Sequence, residues 1–269
     1  MIRFAKAHAY GNDFLYVDKS AVAQLDEVAV AALARQMCER HTGIGADGLI
    51  VYGRTVSGAT MQLYNADGGR AEVSGNGLRG LAALLLRGDD RTGAAVTIAT
   101  EAGPKQVTRV GVEDGRPTFR TAMGLPVDLR KVTIDAAGES VDAVVLNFGN
   151  PQCIILGAQP GDERFHRLGA ALEKHPFFPG ATNVEFATVE APGTIRIRIW
   201  ERGVGPTMSS GTGSCASFVA AVSFGGAARD AVVISPGGAQ RVEWRDDSVY
   251  LTGWAEVLSE GDWFPELPR

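Results

Sequence analysis

The chain has 269 residues, 45% of them hydrophobic and 21% charged, with a net charge of −5. That length holds one large domain or two of about 130 residues, each able to bury its own core. Without a basic excess or a block of like charge, nucleic acid and anionic membrane are not expected as partners, and three scattered cysteines with no histidine cluster argue against a zinc site.

The first residues pass directly into polar turn residues, so no secretory leader is expected. The longest apolar run, 81–86, is far too short to cross a bilayer. A cytoplasmic chain with Cys38, Cys153 and Cys215 reduced is the expected setting.

Thirty-four glycines fall between short β-rich runs, the pattern of many strands joined by tight turns. Strands are predicted at 2–6 and 13–17, then an amphipathic helix over 26–39 with Val28, Ala31, Leu33 and Met37 broadly on one face. Strands follow at 49–52 and 61–64, a helix at 76–87 and a strand at 96–99. The stretch 115–128 contains Pro117, Gly124 and Pro126 and is predicted to cross between two halves. Beyond it come strands at 132–134, 143–146 and 153–156, a helix at 165–173, strands at 184–187 and 195–200, a helix at 212–224, and strands at 232–234 and 249–252. The helices at 76–87 and 212–224 are apolar on most sides, so each is expected to run buried through the centre of its half.

Two halves are indicated because the chain repeats itself. Tyr64-Asn65-Ala66-Asp67 followed by Ser74-Gly75-Asn76-Gly77 is echoed by Trp200-Glu201-Arg202-Gly203 followed by Ser210-Gly211-Thr212-Gly213. Tyr10-Gly11-Asn12 and Phe148-Gly149-Asn150 repeat at nearly the same offset. The predicted architecture is α+β: two pseudo-symmetric barrel-like halves, each around a central helix, with a cleft between them. The first half spans 1–117, completed by 258–269 because both chain ends are apolar near Ile2 and Phe264; the second spans 118–257.

Each Ser-Gly-x-Gly opens a buried helix. A helix start offers unpaired N–H groups and a positive dipole end, and glycine lets a ligand come close to the backbone. Such a place holds a carboxylate or phosphate. Serine is also simply a good N-cap, but duplication at a constant offset favours a paired site for one anion. No Gly-Lys-Ser/Thr follows, which excludes a P-loop. Gly75-x-Gly77-x-x-Gly80, with Glu101 beyond it, fits the bare dinucleotide pattern, yet Arg70-Ala71-Glu72-Val73 is too charged for the buried parallel strand such a loop should follow. Gly80 is better read as a packing residue.

Seven ordered motifs then carry a resemblance over almost the whole chain: Gly11-Asn12-Asp13-Phe14, Gly43-Ile44-Gly45-Ala46-Asp47-Gly48, Tyr64-Asn65-Ala66-Asp67-Gly68, Gly75-Asn76-Gly77-Leu78-Arg79, Gly149-Asn150-Pro151, Thr182-Asn183-Val184, and Glu201-Arg202-Gly203-Val204-Gly205 with Gly211-Thr212-Gly213. In these the sequence resembles the diaminopimelate epimerases and the cofactor-independent racemases that share their duplicated fold. The resemblance implies removal of an α-proton from an amino acid and its return on the opposite face, with no pyridoxal phosphate, no other cofactor and no metal. It implies that Gly75, Asn76, Gly211 and Thr212 bind the substrate carboxylate, and that Asn12, Asn65, Asn150, Asn183, Glu201 and Arg202 hold the rest. Arg202 suits a second carboxylate because its fork engages two oxygens. It further implies a bacterial role in lysine and cell-wall precursor synthesis, and a homodimer.

The two positions that the family fills with catalytic cysteine carry Ser74 and Ser210, and Gln152 stands where histidine is frequent. A thiol with a pKa of about 8.5 is tuned to a thiolate near neutrality, whereas an alcohol needs a neighbouring base; Glu201 and Asp67 are the acids the sequence offers. The helix dipole contributes about 1 kcal/mol and cannot close that gap alone. Gln152 favours native serines over a laboratory Cys-to-Ser exchange, which needs only the two serines. Three readings follow: an epimerase acting through Ser74 and Ser210 with help from Glu201 or an ordered water, an isomerase or dehydratase of the same fold with one carboxylate, and a silent carboxylate-binding homologue.

Overall fold

The computed structural model describes residues 1–264. The chain forms two compact units, Met1–Thr121 with the segment from Trp254 onward, and Ala122–Gly253.

In the first unit, β1 (Ile2–Ala9) pairs antiparallel with β2 (Asn12–Asp18), and β2 runs parallel to β3 (Gly48–Thr55) after the outer helix α1 (Glu27–Cys38). The ladder continues antiparallel through β4 (Gly58–Asn65), with the short β5 (Arg70–Ala71), then parallel to β6 (Ala95–Thr100) and antiparallel to β7 (Gly103–Glu113) and β8 (Arg116–Gly124). At its other edge β1 pairs antiparallel with β18 (Glu256–Trp263), placing Ile2 opposite Trp263. The part of the final segment beyond residue 264 lies outside the described residues.

These strands wrap α2 (Gly75–Leu85), which packs against β1, β2, β6, β7 and β18. Leu78, Leu81 and Ala82 are fully buried and join Tyr16, Ile50, Ile98 and Phe119 in one core. A second core lies beneath α1, around Leu15, Leu33, Met37 and Leu49. Asp26 caps α1 by accepting the Ala29 N–H at 2.8 Å.

The second unit repeats the plan. β9 (Val127–Ala136), β10 (Glu139–Asn147) and β11 (Pro151–Leu156) form an antiparallel run. Helix α3 (Asp162–Glu173) then leads to β12 (Asn183–Ala191), parallel to β11. Antiparallel β13 (Thr194–Glu201) follows, with the short β14 (Gly205–Thr207). The sheet continues through β15 (Asp230–Ser235), β16 (Gly238–Trp244) and β17 (Val249–Trp254). All ten residues of α4 (Gly211–Ala220) are buried, packed against β10, β11, β12, β13, β15 and β16. Isolated helices shorter than about 12–15 residues are marginal in water, so this packing is what holds α4.

The expected α+β class and the two buried helices are observed. The α-helical geometry of α4 ends at Ala220, and a wider turn over Ala221–Gly225 continues it to a left-handed Gly226. α3 begins at Asp162, ahead of the predicted 165, because its first turn is charged rather than apolar. The stretch 115–128, predicted as a crossover, is mostly strand. β8 and β9 occupy it, and only Gly115, Leu125 and Pro126 lack strand geometry.

Candidate active site

In the first unit, Ser74 is the N-cap of α2. Its extended backbone (φ −131°, ψ 123°) turns the hydroxyl back over the helix start, where Oγ accepts the Gly77 N–H at 3.1 Å. Tyr16, buried on β2, donates its hydroxyl to the Gly77 carbonyl at 3.0 Å and pins this turn against the sheet.

Asn12 and Asn76, far apart in sequence, meet directly. Asn76 Nδ2 donates to Asn12 Oδ1 at 3.0 Å, and Arg79 donates to Asn76 Oδ1. Asn12 Nδ2 in turn donates to Asp47 Oδ2 at 2.7 Å. Arg40 bridges Asp47 and Asp13, at 2.7 and 2.9 Å, and Lys6 lies 2.9 Å from Asp13. Burial pushes the Asp13 carboxyl up, but Arg40 and Lys6 outweigh it and hold the group below the usual carboxylate range. Asp47 is raised, by burial first and then by the charge of Asp13. Asn65 ends β4 beside this network: the Ala66 N–H donates to the Asp47 carbonyl at 3.0 Å. Asp67 caps the adjoining turn by accepting the Gly69 N–H at 2.7 Å.

Ser210 takes the same part in the second unit. It caps α4 with φ −136° and ψ 128°, and its Oγ accepts the Gly213 N–H at 3.1 Å. Thr212 Oγ1 lies 3.4 Å from Ser210 Oγ and 3.4 Å from the side-chain amide of Asn150. Asn183 Oδ1 accepts the Arg202 backbone N–H at 2.9 Å, while Glu173 accepts the Gly203 N–H at 2.9 Å and the Trp200 indole at 2.8 Å. The turn carrying Glu201 and Arg202 is thereby fixed from two sides. The Arg202 guanidinium reaches the Gly180 carbonyl at 3.3 Å.

Of the polar residues singled out, Asn12 meets the start of α2 through Asn76 and Asn150 meets the start of α4 through Thr212, while the turns after Asn65 and around Glu201 and Arg202 are held by Asp47, Asn183 and Glu173. One residue was not singled out. Glu185, on the central strand β12, is fully buried between Ile154 and Ile199 in the ladder. With its amide nitrogen toward this carboxyl, and the Asn150 amide turned with it so that an N–H faces the Gln152 oxygen at 2.7 Å, Gln152 lies 3.0 and 3.2 Å from the two carboxyl oxygens. The Gln152 oxygen then accepts from Asn183 Nδ2 at 3.1 Å and Thr212 Oγ1 at 3.3 Å. Burial, reinforced by the charge of Glu201, raises Glu185 well above the usual glutamate range. The available sign in the sequence was an acid inside an otherwise apolar run, Val184-Glu185-Phe186.

None of the three cysteines supplies the missing thiolate. All are buried; burial, then Asp13 and Asp47, pushes Cys38 up to about 12, and burial with Glu185 raises Cys153 further. Cys215 is packed in the core around α4.

The sequence model described as diaminopimelate epimerase matches residues 4–127 and 144–258. Among curated proteins, a diaminopimelate epimerase from Desulforudis audaxviator is 37% identical, the match covering 97% of this chain and 99% of the relative. One from Desulfitobacterium hafniense is 36% identical, covering 97% of each. Among solved structures, a predicted epimerase from Pseudomonas aeruginosa shares the fold with a TM-score of 0.76 at 18% identity, over 99% of this chain and 100% of that one. A probable proline racemase from Agrobacterium radiobacter with bound carbonate shares it with a TM-score of 0.77 at 17% identity, over 98% and 93%. The chain belongs to the diaminopimelate epimerase family, a family of isomerases.

Proposed function

We propose that the chain epimerises ll-diaminopimelate to the meso form, with Ser74 and Ser210 as the two proton-carrying groups. The observation that carries this reading is the repeated serine cap at a buried helix start, in a chain that matches named diaminopimelate epimerases over nearly its full length. The reading requires one substrate to meet both helix starts. Gly75, Asn76, Gly211 and Thr212 would hold the α-carboxylate, whose charge and that of the developing carbanion are stabilised by aligned N–H groups. Asn12, Asn65, Asn150 and Asn183 would orient the amino acid, with Glu201 and Arg202 at its far end. One serine oxygen takes the α-proton and the other hydroxyl delivers one to the opposite face, and the chemistry calls for no cofactor. No helix among the described residues is long and apolar enough to cross a membrane. A cytoplasmic homodimer in lysine and cell-wall precursor synthesis completes the proposal.

The weak acidity of an alcohol favours a second reading, a homologue that binds the amino acid without exchanging its proton. Proton NMR in deuterium oxide with ll-diaminopimelate separates the two. Loss of the α-proton signal supports epimerisation. Silence from the parent with recovery in the Ser74→Cys, Ser210→Cys double variant supports the binding protein, and silence from both rejects diaminopimelate as substrate.

A further inference from the structure

The two serine caps are alike, but their surroundings are not. A Cβ built on Gly77 would touch the Ile50 side chain at 2.8 Å and Ser74 Oγ at 3.5 Å. On the matching Gly213 it would touch Glu185 Oε1 at 2.5 Å and Ser210 Oγ at 3.1 Å. Ile50 and Glu185 are counterparts. Each lies on the strand that runs parallel to the one before it, Ile50 opposite Tyr16 and Glu185 opposite Ile154. Gln152 likewise has Phe14 as its counterpart, the former beside Asn183 and the latter beside Gly48 at the same end of the parallel pair. The second unit thus carries a buried amide and carboxyl where the first carries a ring and an aliphatic chain.

A buried carboxyl is costly unless something uses or satisfies it. Here one point beside the Cα of the first-turn Gly213 lies 2.5 Å from the carboxyl and 3.1 Å from the hydroxyl that caps the helix. A second path links the same groups through side chains: Ser210 to Thr212, Thr212 to Gln152, and Gln152 to Glu185. Any larger residue at position 213 would fill the space between carboxyl and hydroxyl. The nearby acids of this unit are Glu201, whose charge acts on Glu185, and Glu173, which is committed to Trp200 and Gly203.

Resting on the epimerase reading above, we propose that Glu185 is the proton partner of Ser210, positioned by Gln152, and that Ser74 has no equivalent. At the face served by Ser210, the Cα–H bond breaks and its electron pair stays on Cα. The proton passes to Ser210 Oγ as the hydroxyl's own proton passes, across the space beside Gly213, to Glu185 in its ionised form. In the return direction the Glu185 acid gives its proton to Oγ while the hydroxyl proton goes to Cα. Glu185 acts through Ser210 and does not touch substrate. Its raised proton affinity suits it to hold that proton between the two steps. The two faces of one reaction are then served by unequal groups.

Deuterium entry at Cα without inversion, in the recovered starting isomer, is measured from ll-diaminopimelate and from the meso form, because that exchange depends only on the base that removed the proton; parent and Glu185→Gln are compared, alongside substrate affinity by calorimetry. The expected result is unequal exchange from the two isomers. In the variant, the isomer deprotonated by Ser210 slows by about 100-fold, the scale of general acid–base catalysis, with affinity kept. Parent-like exchange in the variant, or equal slowing of both isomers, overturns the proposal. Glu185→Asp keeps the acid but withdraws it, and is expected to slow the same isomer by about 10-fold if the glutamine variant does not fold; full rate there also overturns it.

A substrate-free measurement keeps the two readings apart. A thiol introduced by Ser210→Cys is titrated by its thiolate absorbance, with and without Glu185→Gln, each against its own serine parent. Removing a charged neighbour should lower the thiol's midpoint by about one unit or more, while the thiol from Ser74→Cys stays unmoved. Equal midpoints at position 210 reject Glu185 as the partner. If the parent exchanges neither isomer, the epimerase reading falls and this titration still decides whether the pair exists.

Discussion

The hydroxyl of Tyr16 lies where the Cβ of any larger residue at position 80 would stand, and the ring carbon that bears it is 3.0 Å from that point. Gly80 is therefore the residue that lets α2 lie directly on β2, and it has no part in a nucleotide loop. Gly80→Ala is expected to cost about 1–3 kcal/mol by urea denaturation, the usual penalty for overpacking a core. Tyr16→Phe in the same background removes the clashing oxygen and should restore part of that loss. Strictly additive effects in the double-mutant cycle contradict the contact.

The support beneath Asn12 is electrostatic and depends on acidity. Asp13 takes up its proton at lower pH when folded than when unfolded, since Arg40 and Lys6 outweigh its burial. Its contribution to stability is complete above about pH 4 and is lost as pH falls through the lowered folded-state value. Asp47 runs the other way: its raised proton affinity disfavours the folded state as pH rises above about 4. Asp13→Asn is expected to lose about 2–3 kcal/mol at pH 7, discounted for the exposure of Arg40, with the difference shrinking toward pH 3. Denaturation midpoints across that range check it, and a loss independent of pH speaks against an ionic role.

The buried helices were legible because apolar residues cover all their sides, a pattern that fits only a central position. The serine caps were legible because the same short string occurs twice. Strands β7 and β8 were not, because much of β7 is exposed and its polar positions hide the alternation, while Pro117 and Gly124 read as turn residues. The contact of Asn12 with Asn76 depends on β2 passing beneath the start of α2, which no local pattern encodes. Glu185 escaped for a related reason. An acid in an apolar run carries no period of its own, and its meaning appears only beside Ser210 and against Ile50.

Arg202 provides a test of substrate length. Its backbone is fixed by Asn183, so the guanidinium is presented from a rigid turn. Arg202→Lys keeps the charge but loses the planar fork that engages a carboxylate by two bonds. A charge-assisted hydrogen bond is worth about 1.5–3 kcal/mol, so KM for ll-diaminopimelate should rise by roughly 10- to 100-fold. kcat should change little, because the far carboxylate is bound equally in the ground and transition states. An unchanged KM removes Arg202 from the substrate site.

Glu185 also leaves a signature in stability that needs no substrate. Its proton affinity is raised in the folded state by burial and then by Glu201. Between about pH 4.3, where the unfolded chain's glutamate ionises, and the higher folded-state value, the native protein binds the extra proton. Stability therefore falls as pH rises through that window. Glu185→Gln removes the ionisation while keeping the side chain's length. The variant is expected to gain on the parent steadily from pH 4 to pH 8, with the two closest at the acid end. Guanidinium denaturation of both proteins at each pH measures the difference, and a gap that stays constant across the window shows that Glu185 titrates as an ordinary exposed acid.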